Sequence, residues 1–145
     1  GIIYLGNIIG GIIFSFILSF IGPSAGFIEA EAFYHLAHEL LDHDWHTILF
    51  SALLAGWMMG LLSWLLTSSQ ETISRIFVII LVTSIIGIAG LHHCIVGSIE
   101  VLTGLITSDQ IGFMDYLKFQ VWATIGNAIG GAFFVSVLKF GHIRI

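Results

Sequence analysis

Charge, cysteine and proline are all scarce in this chain. Charged residues make up 9% of its 145 residues, with four Lys and Arg in total, while hydrophobic residues make up 57%. Soluble domains carry roughly a quarter charged residues. With a mean hydropathy of +1.04, the chain holds more apolar surface than a water-soluble core can use, which excludes a soluble fold. The single cysteine, Cys94, excludes an internal disulfide and gives no reading of redox compartment. The single proline, Pro23, cannot supply the paired Asn-Pro-Ala loops of an aquaporin-type pore for neutral solutes. The net charge of -5 comes mostly from connecting segments and offers nothing to nucleic acid.

What the chain does have is long apolar stretches. A membrane-crossing helix needs about 20 apolar residues. Ile2–Ile21, Thr47–Leu66 and Phe119–Leu138 meet that requirement, and a further apolar region runs from Ile73 to Ile106. The expected fold is therefore an all-α membrane protein with one transmembrane domain over 1–145 and no soluble domain. Gly1 already lies inside an apolar stretch, with no Met and no charged lead-in of a signal peptide, so the chain is expected to be a fragment that lacks its beginning.

Arg75, Lys139 and Arg144 border one side of these spans and Lys118 the other, so the positive-inside rule puts the C-terminus in the cytoplasm. The acidic stretch from Pro23 to His46, free of Lys and Arg, fits the outer side. Within it Phe33, Leu36, Leu40 and Leu41 recur at helical spacing, which predicts a short amphipathic helix over 31–42 on the membrane surface. His35, His38, His43 and His46 stand among acids in the same segment. Their order matches neither H-E-x-x-H nor H-x-x-E-H, so they read as solvated interfacial histidines rather than a metal site.

One motif occurs twice: Gly6-Asn7-Ile8-Ile9-Gly10-Gly11 in the first span and Gly126-Asn127-Ala128-Ile129-Gly130-Gly131 in the last. Gly6 with Gly10, and Gly126 with Gly130, form G-x-x-x-G pairs that let helix backbones approach where lipid gives no hydrophobic drive to associate. Asn7 and Asn127 are polar amides at membrane depth, which must find a partner or line a wet cavity. If Ile73–Ile106 counts as one span, the two copies cross in opposite directions. That is an inverted repeat, whose completion calls for about six spans, two of them before Gly1.

As one unbroken helix, Ile73–Ile106 would be about 51 Å long at ~1.5 Å per residue, against a hydrocarbon core of ~30 Å. A break is expected near 87–94, where Gly87 and Gly90 precede His92 and His93. Two arrangements fit. In one, Arg75–Leu91 is a short span with interfacial histidines and Cys94–Ile106 re-enters the membrane. In the other, a single discontinuous helix exposes backbone and imidazole to a pore, and the repeat favours this one. Glu100, two turns beyond His93, is a second ionisable group in the membrane and serves as a structural partner or as part of the path.

These residues resemble the formate/nitrite transporter family. The G-N-x-x-G-G helices are similar to its third and sixth spans, and Ala55-Gly56-Trp57-Met58-Met59-Gly60-Leu61-Leu62-Ser63-Trp64 to its fourth-span signature. Gly90-Leu91-His92-His93-Cys94-Ile95 resembles the break in its fifth helix. The resemblance covers essentially the whole chain. It implies an aquaporin-like helix bundle of six spans, a homopentamer with a pore in each protomer, and a multi-pass place in the inner (plasma) membrane. It also implies that His93 is the pore histidine, with His92, Leu91 and Cys94 beside it and Ile86 near the constriction. The chain departs from the family pattern with His92 for Glu, Cys94 for Ser, Gly97 for Asn and Gly56 for Asn.

The expected function is passage of a small monovalent anion with protons, without enzymatic activity or a cofactor. A charged anion enters hydrocarbon at severe cost and a neutral acid at little. Histidine, with a reference pKa near ~6.5, suits a site that lends or shares a proton. The alternative role for His93 is to bond the broken backbone and hold the loop. Rival functions are a neutral-solute pore, a haem-bearing electron-transfer subunit, which would want histidines on facing helices, and a non-transporting packing subunit.

Overall fold

At membrane depth no water is available to a free N–H or C=O, so an apolar stretch satisfies its backbone by coiling on itself. Six helices follow in the described chain: α1 (Ile2–Ser24), α2 (Ala30–Leu41), α3 (Trp45–Ser68), α4 (Thr72–Ile88), α5 (Val96–Thr107) and α6 (Phe113–His142). The structure, a computed structural model, describes residues 1–142. Arg144 and the side chain of Lys139, both of which bear on orientation, lie outside the described part. Ile2–Ser24, Trp45–Ser68 and Phe113–Val137 are long and apolar enough to cross a bilayer, whereas α4 and α5 are apolar but shorter. Ile2, Phe16, Phe20, Phe50, Ile73 and Phe77 are mostly exposed, an apolar surface that suits lipid and not water.

α1 and α4 end in the same way. At α1 the chain turns through Gly26 at φ +70, with Gly26 N–H bonded to the Pro23 carbonyl and Phe27 N–H to the Gly22 carbonyl. At α4 it turns through Gly90 at φ +60, with Gly90 N–H bonded to Gly87 and Leu91 N–H to Ile86. This is the Schellman termination, in which a left-handed glycine lets the chain bond back onto the last free carbonyls.

The helices group into two compact units, Gly1–Trp45 with His93–Val121, and His46–His92 with the chain from Trp122 onward. The first unit is built on α5, which buries Gly97, Ser98, Val101, Leu102, Thr103 and Gly104. α2 lays Phe33 and Ala37 against it, and Gly104 is what permits this: a methyl group there would collide with the Ala37 side chain. α1 approaches α5 through Gly11, next to Ile99, and through Ser15, whose Oγ donates to the Gly11 carbonyl at 2.8 Å and lies 3.3 Å from the Ile99 carbonyl. The first turns of α6 close this unit, with Phe119 fully buried beneath Gly97 and the Tyr116 hydroxyl 3.0 Å from Ser98 Oγ. α6 starts two turns before its apolar window because the Asp115 carboxylate accepts the Gly112 N–H at 3.1 Å, supporting the first turn.

In the second unit, α3 and α4 meet in an apolar cluster of Leu62, Val82 and Ile86, with Met58, Met59, Leu66, Val78 and Leu91 packed around it. α3 meets α6 along a seam of glycines. A methyl group at Gly126 would strike the Leu49 carbonyl, one at Gly130 the Leu53 carbonyl, and one at Gly56 the Asn127 carbonyl. Main chain therefore lies on main chain, the arrangement G-x-x-x-G allows. Beside the seam, Trp57 stands edge-on to Phe133, with ring centres 5.9 Å apart.

Candidate functional site

Between Ile88 and Val96 the chain is not helical, and this segment carries both adjacent histidines. Their surroundings differ. His92, in the second unit, is 2% exposed. Its backbone N–H donates to Ser51 Oγ at 3.1 Å, and its ring Nδ1 lies 2.9 Å from the same hydroxyl. Asn127 Nδ2 donates to the His92 carbonyl at 3.1 Å and to the Ala52 carbonyl at 2.6 Å. The asparagine of the second G-N-x-x-G-G copy thus ties the segment before α5 to α3.

His93, in the first unit, is partly exposed. Its carbonyl accepts Gly97 N–H at 2.8 Å. Its ring Nδ1 accepts the N–H groups of Ile95 and Val96 at 3.2 and 3.4 Å. The first amides of a helix have no carbonyl to bond, and Ile95, just before α5, gives no side-chain cap. His93 takes that role. The carbonyl of Cys94, which is buried and in no disulfide, accepts from Gln120 Nε2 at 3.1 Å, and the same amide nitrogen donates to the Tyr4 hydroxyl at 2.7 Å.

Each of the other sequence candidates has surroundings of its own. Ile86 and Leu91 pack in the α3–α4 apolar cluster of the second unit. Glu100 is partly exposed on α5, and Glu39 of α2 faces it. Asn7 is exposed on α1, and the space around Gly6 and Gly10 is open, so the two copies of the motif have different surroundings. On α2, His35 lies 3.7 Å from the Glu31 carboxylate, both side chains exposed, and Tyr34 lies against the rings of His35 and His38. No group of three metal-ligating side chains occurs among the described residues.

Ser51 and Gln120 are missing from the sequence candidates. The signal that would have found them is the one that singled out the asparagines: a polar side chain in an apolar helix has to bond something. Ser51→Ala is expected to strip the His92 N–H of its acceptor at a cost of about 1–3 kcal/mol, the usual figure for an orphaned buried donor. A thermal melt of the detergent-solubilised protein reads this as a lower Tm, and an unchanged Tm speaks against it. Asn127→Leu, close in volume but without an amide, is expected to lower Tm by a similar or larger amount, because it frees the His92 carbonyl.

Apolar spanning helices, glycine seams and a polar break define an integral membrane protein of the helix-bundle class. The family model for the formate/nitrite transporter matches residues 1–141, and the chain belongs to that family. It is 26% identical to the inner membrane protein YfdC of Escherichia coli over 99% of this chain and 46% of that protein. It is 23% identical to the formate channel FocA of Haemophilus influenzae over 95% of this chain and 56% of that protein. With the uncharacterized transporter YrhG of Bacillus subtilis it shares 27% identity over 97% of this chain and 53% of that protein. The chain therefore spans about half the length of the curated relatives it matches. No solved structure matches it at comparable significance.

Proposed function

We propose that the protein passes small monovalent weak-acid anions, of the formate and nitrite class, through the membrane, and that His93 is the side chain that meets the anion and lends or shares a proton. The observation that carries this is the contrast between the two histidines: His92 is buried and bonded to Ser51, whereas His93 is a partly exposed residue at the start of a half-length helix. Such a helix start favours negative charge, through unpaired amides and the macrodipole. The anion class comes from the family and from the relative named as a formate channel. The protein is multi-pass in the inner (plasma) membrane with its C-terminus in the cytoplasm, and it assembles as a homopentamer whose pores are independent.

The test is flux from proteoliposomes carrying the full-length protein, with formate, nitrite, hydrosulfide and lactate offered separately across a pH step. At least one anion is expected to pass, and faster at the lower pH, because the neutral acid is the form that crosses an apolar constriction at small cost. Background flux for all four at every pH would refute the reading.

A further inference from the structure

We propose that Gln120 is a positioning residue for size selection: its amide, itself held by Tyr4, fixes where the chain before α5 stands and so sets which anions the passage admits. This rests on the transport reading given above and deepens it. The bonds that shape the segment before α5 are local. His93 Nδ1 accepts the N–H groups of Ile95 and Val96, the His93 carbonyl accepts Gly97 N–H at 2.8 Å, and the Ile95 carbonyl accepts Ile99 N–H at 3.3 Å. Each of these closes within a turn of chain. Together they give the segment a shape and leave its place to other helices.

That place comes from α6 and α1. Phe119 is fully buried beneath Gly97, where an added methyl group would collide with its ring. The next residue, Gln120, donates from Nε2 to the Cys94 carbonyl at 3.1 Å and to the Tyr4 hydroxyl at 2.7 Å. A side-chain amide nitrogen carries two N–H groups, so one residue of α6 joins α1 to the segment before α5. A glutamine has much rotamer freedom to lose, and the Tyr4 hydroxyl removes it before the carbonyl is met. Tyr4 therefore acts through Gln120. Because Cys94 follows His93 directly, an amide that fixes its carbonyl also limits how far the chain at the break can give way. The width of a passage decides which solutes enter it. A wall that is held in place discriminates by size, and one that is free to shift admits larger solutes more readily.

Flux from proteoliposomes of the full-length protein, normalised to folded protein, tests this as a ratio: lactate, the largest of the four anions, against the small anion that passes fastest. Gln120→Met keeps the length of the side chain without its amide. It is expected to raise the ratio about fivefold, the weight of one hydrogen bond. Tyr4→Phe, which leaves the Cys94 bond in place, is expected to raise it less, and the double variant no more than Gln120→Met alone. A wild-type ratio in Gln120→Met together with a lowered Tm would make the amide a structural bond only and overturn the proposal. A double variant whose effect is the product of the two single ones would also overturn it, since the residues would then act independently. Should Gln120→Met fail to fold, Tyr4→Phe decides, and an unchanged ratio there overturns the proposal. If the wild-type protein passes none of the four anions, the transport reading fails and size selection falls with it. A wild type that transports, with variants that keep its ratio, refutes size selection alone.

Discussion

Gly130→Leu is expected to prevent the protein from assembling in a stable form. At Gly130 an added methyl group would meet the Leu53 carbonyl and lie 2.9 Å from both the Leu53 carbonyl carbon and the Trp57 nitrogen. All of these are backbone atoms of a helix, which cannot rotate aside as a side chain does, so α3 and α6 must separate. Forcing extra carbons into a packed contact costs about 1–3 kcal/mol when side chains can adjust, and here the main chain has to give. Separation also stretches the Asn127 bonds to Ala52 and His92. Because packing rather than hydrophobic drive holds membrane helices together, little remains to compensate. Size-exclusion chromatography and a thermal melt of the solubilised variant should show aggregation or a Tm far below wild type, with Gly130→Ala in between. A leucine variant that elutes and melts like wild type would contradict the described seam.

The second large effect is on flux. His93→Ala is expected to lower anion flux by about 10- to 100-fold, since a hydrogen bond to a charged group is worth about 1.5–3 kcal/mol. The same substitution uncaps α5, and losing a cap costs about 1 kcal/mol. The two losses are separable, because flux normalised to folded protein reports the first and Tm reports the second. Wild-type flux from the alanine variant would remove His93 from the path and leave it a capping residue alone.

Much of the architecture is written in composition. Few charges and long apolar stretches dictate helices, and helices are what the described residues form. The glycine motif shows where sequence stops informing. Gly126 and Gly130 lie on the α3 backbone while Gly6 and Gly10 meet open space, though the two motifs are spelled alike. A motif records what a helix can accept, and the neighbour determines whether it does. On α2 the apolar spacing pointed to Phe33, but Ala37 is equally buried, because a small residue is needed where Gly104 comes close. At the break, His92 and His93 look equivalent in the sequence. Their fates diverge because successive side chains point to different sides: one meets Ser51 and the other the amides of α5. Ser51 and Gln120 stand out as polar residues in apolar helices, but nothing in their own stretch of sequence says which group each will bond.

The ending of α4 has a bearing on gating. Its stop is completed within its own last turn, by Gly90 at φ +60 and by Leu91 N–H reaching the Ile86 carbonyl, with both side chains in one apolar cluster. A terminus assembled from such local bonds exists before any solute arrives and survives its departure. The interruption is then a standing part of the scaffold, and on the proposed transport reading any opening and closing belongs to pieces that move without unwinding it.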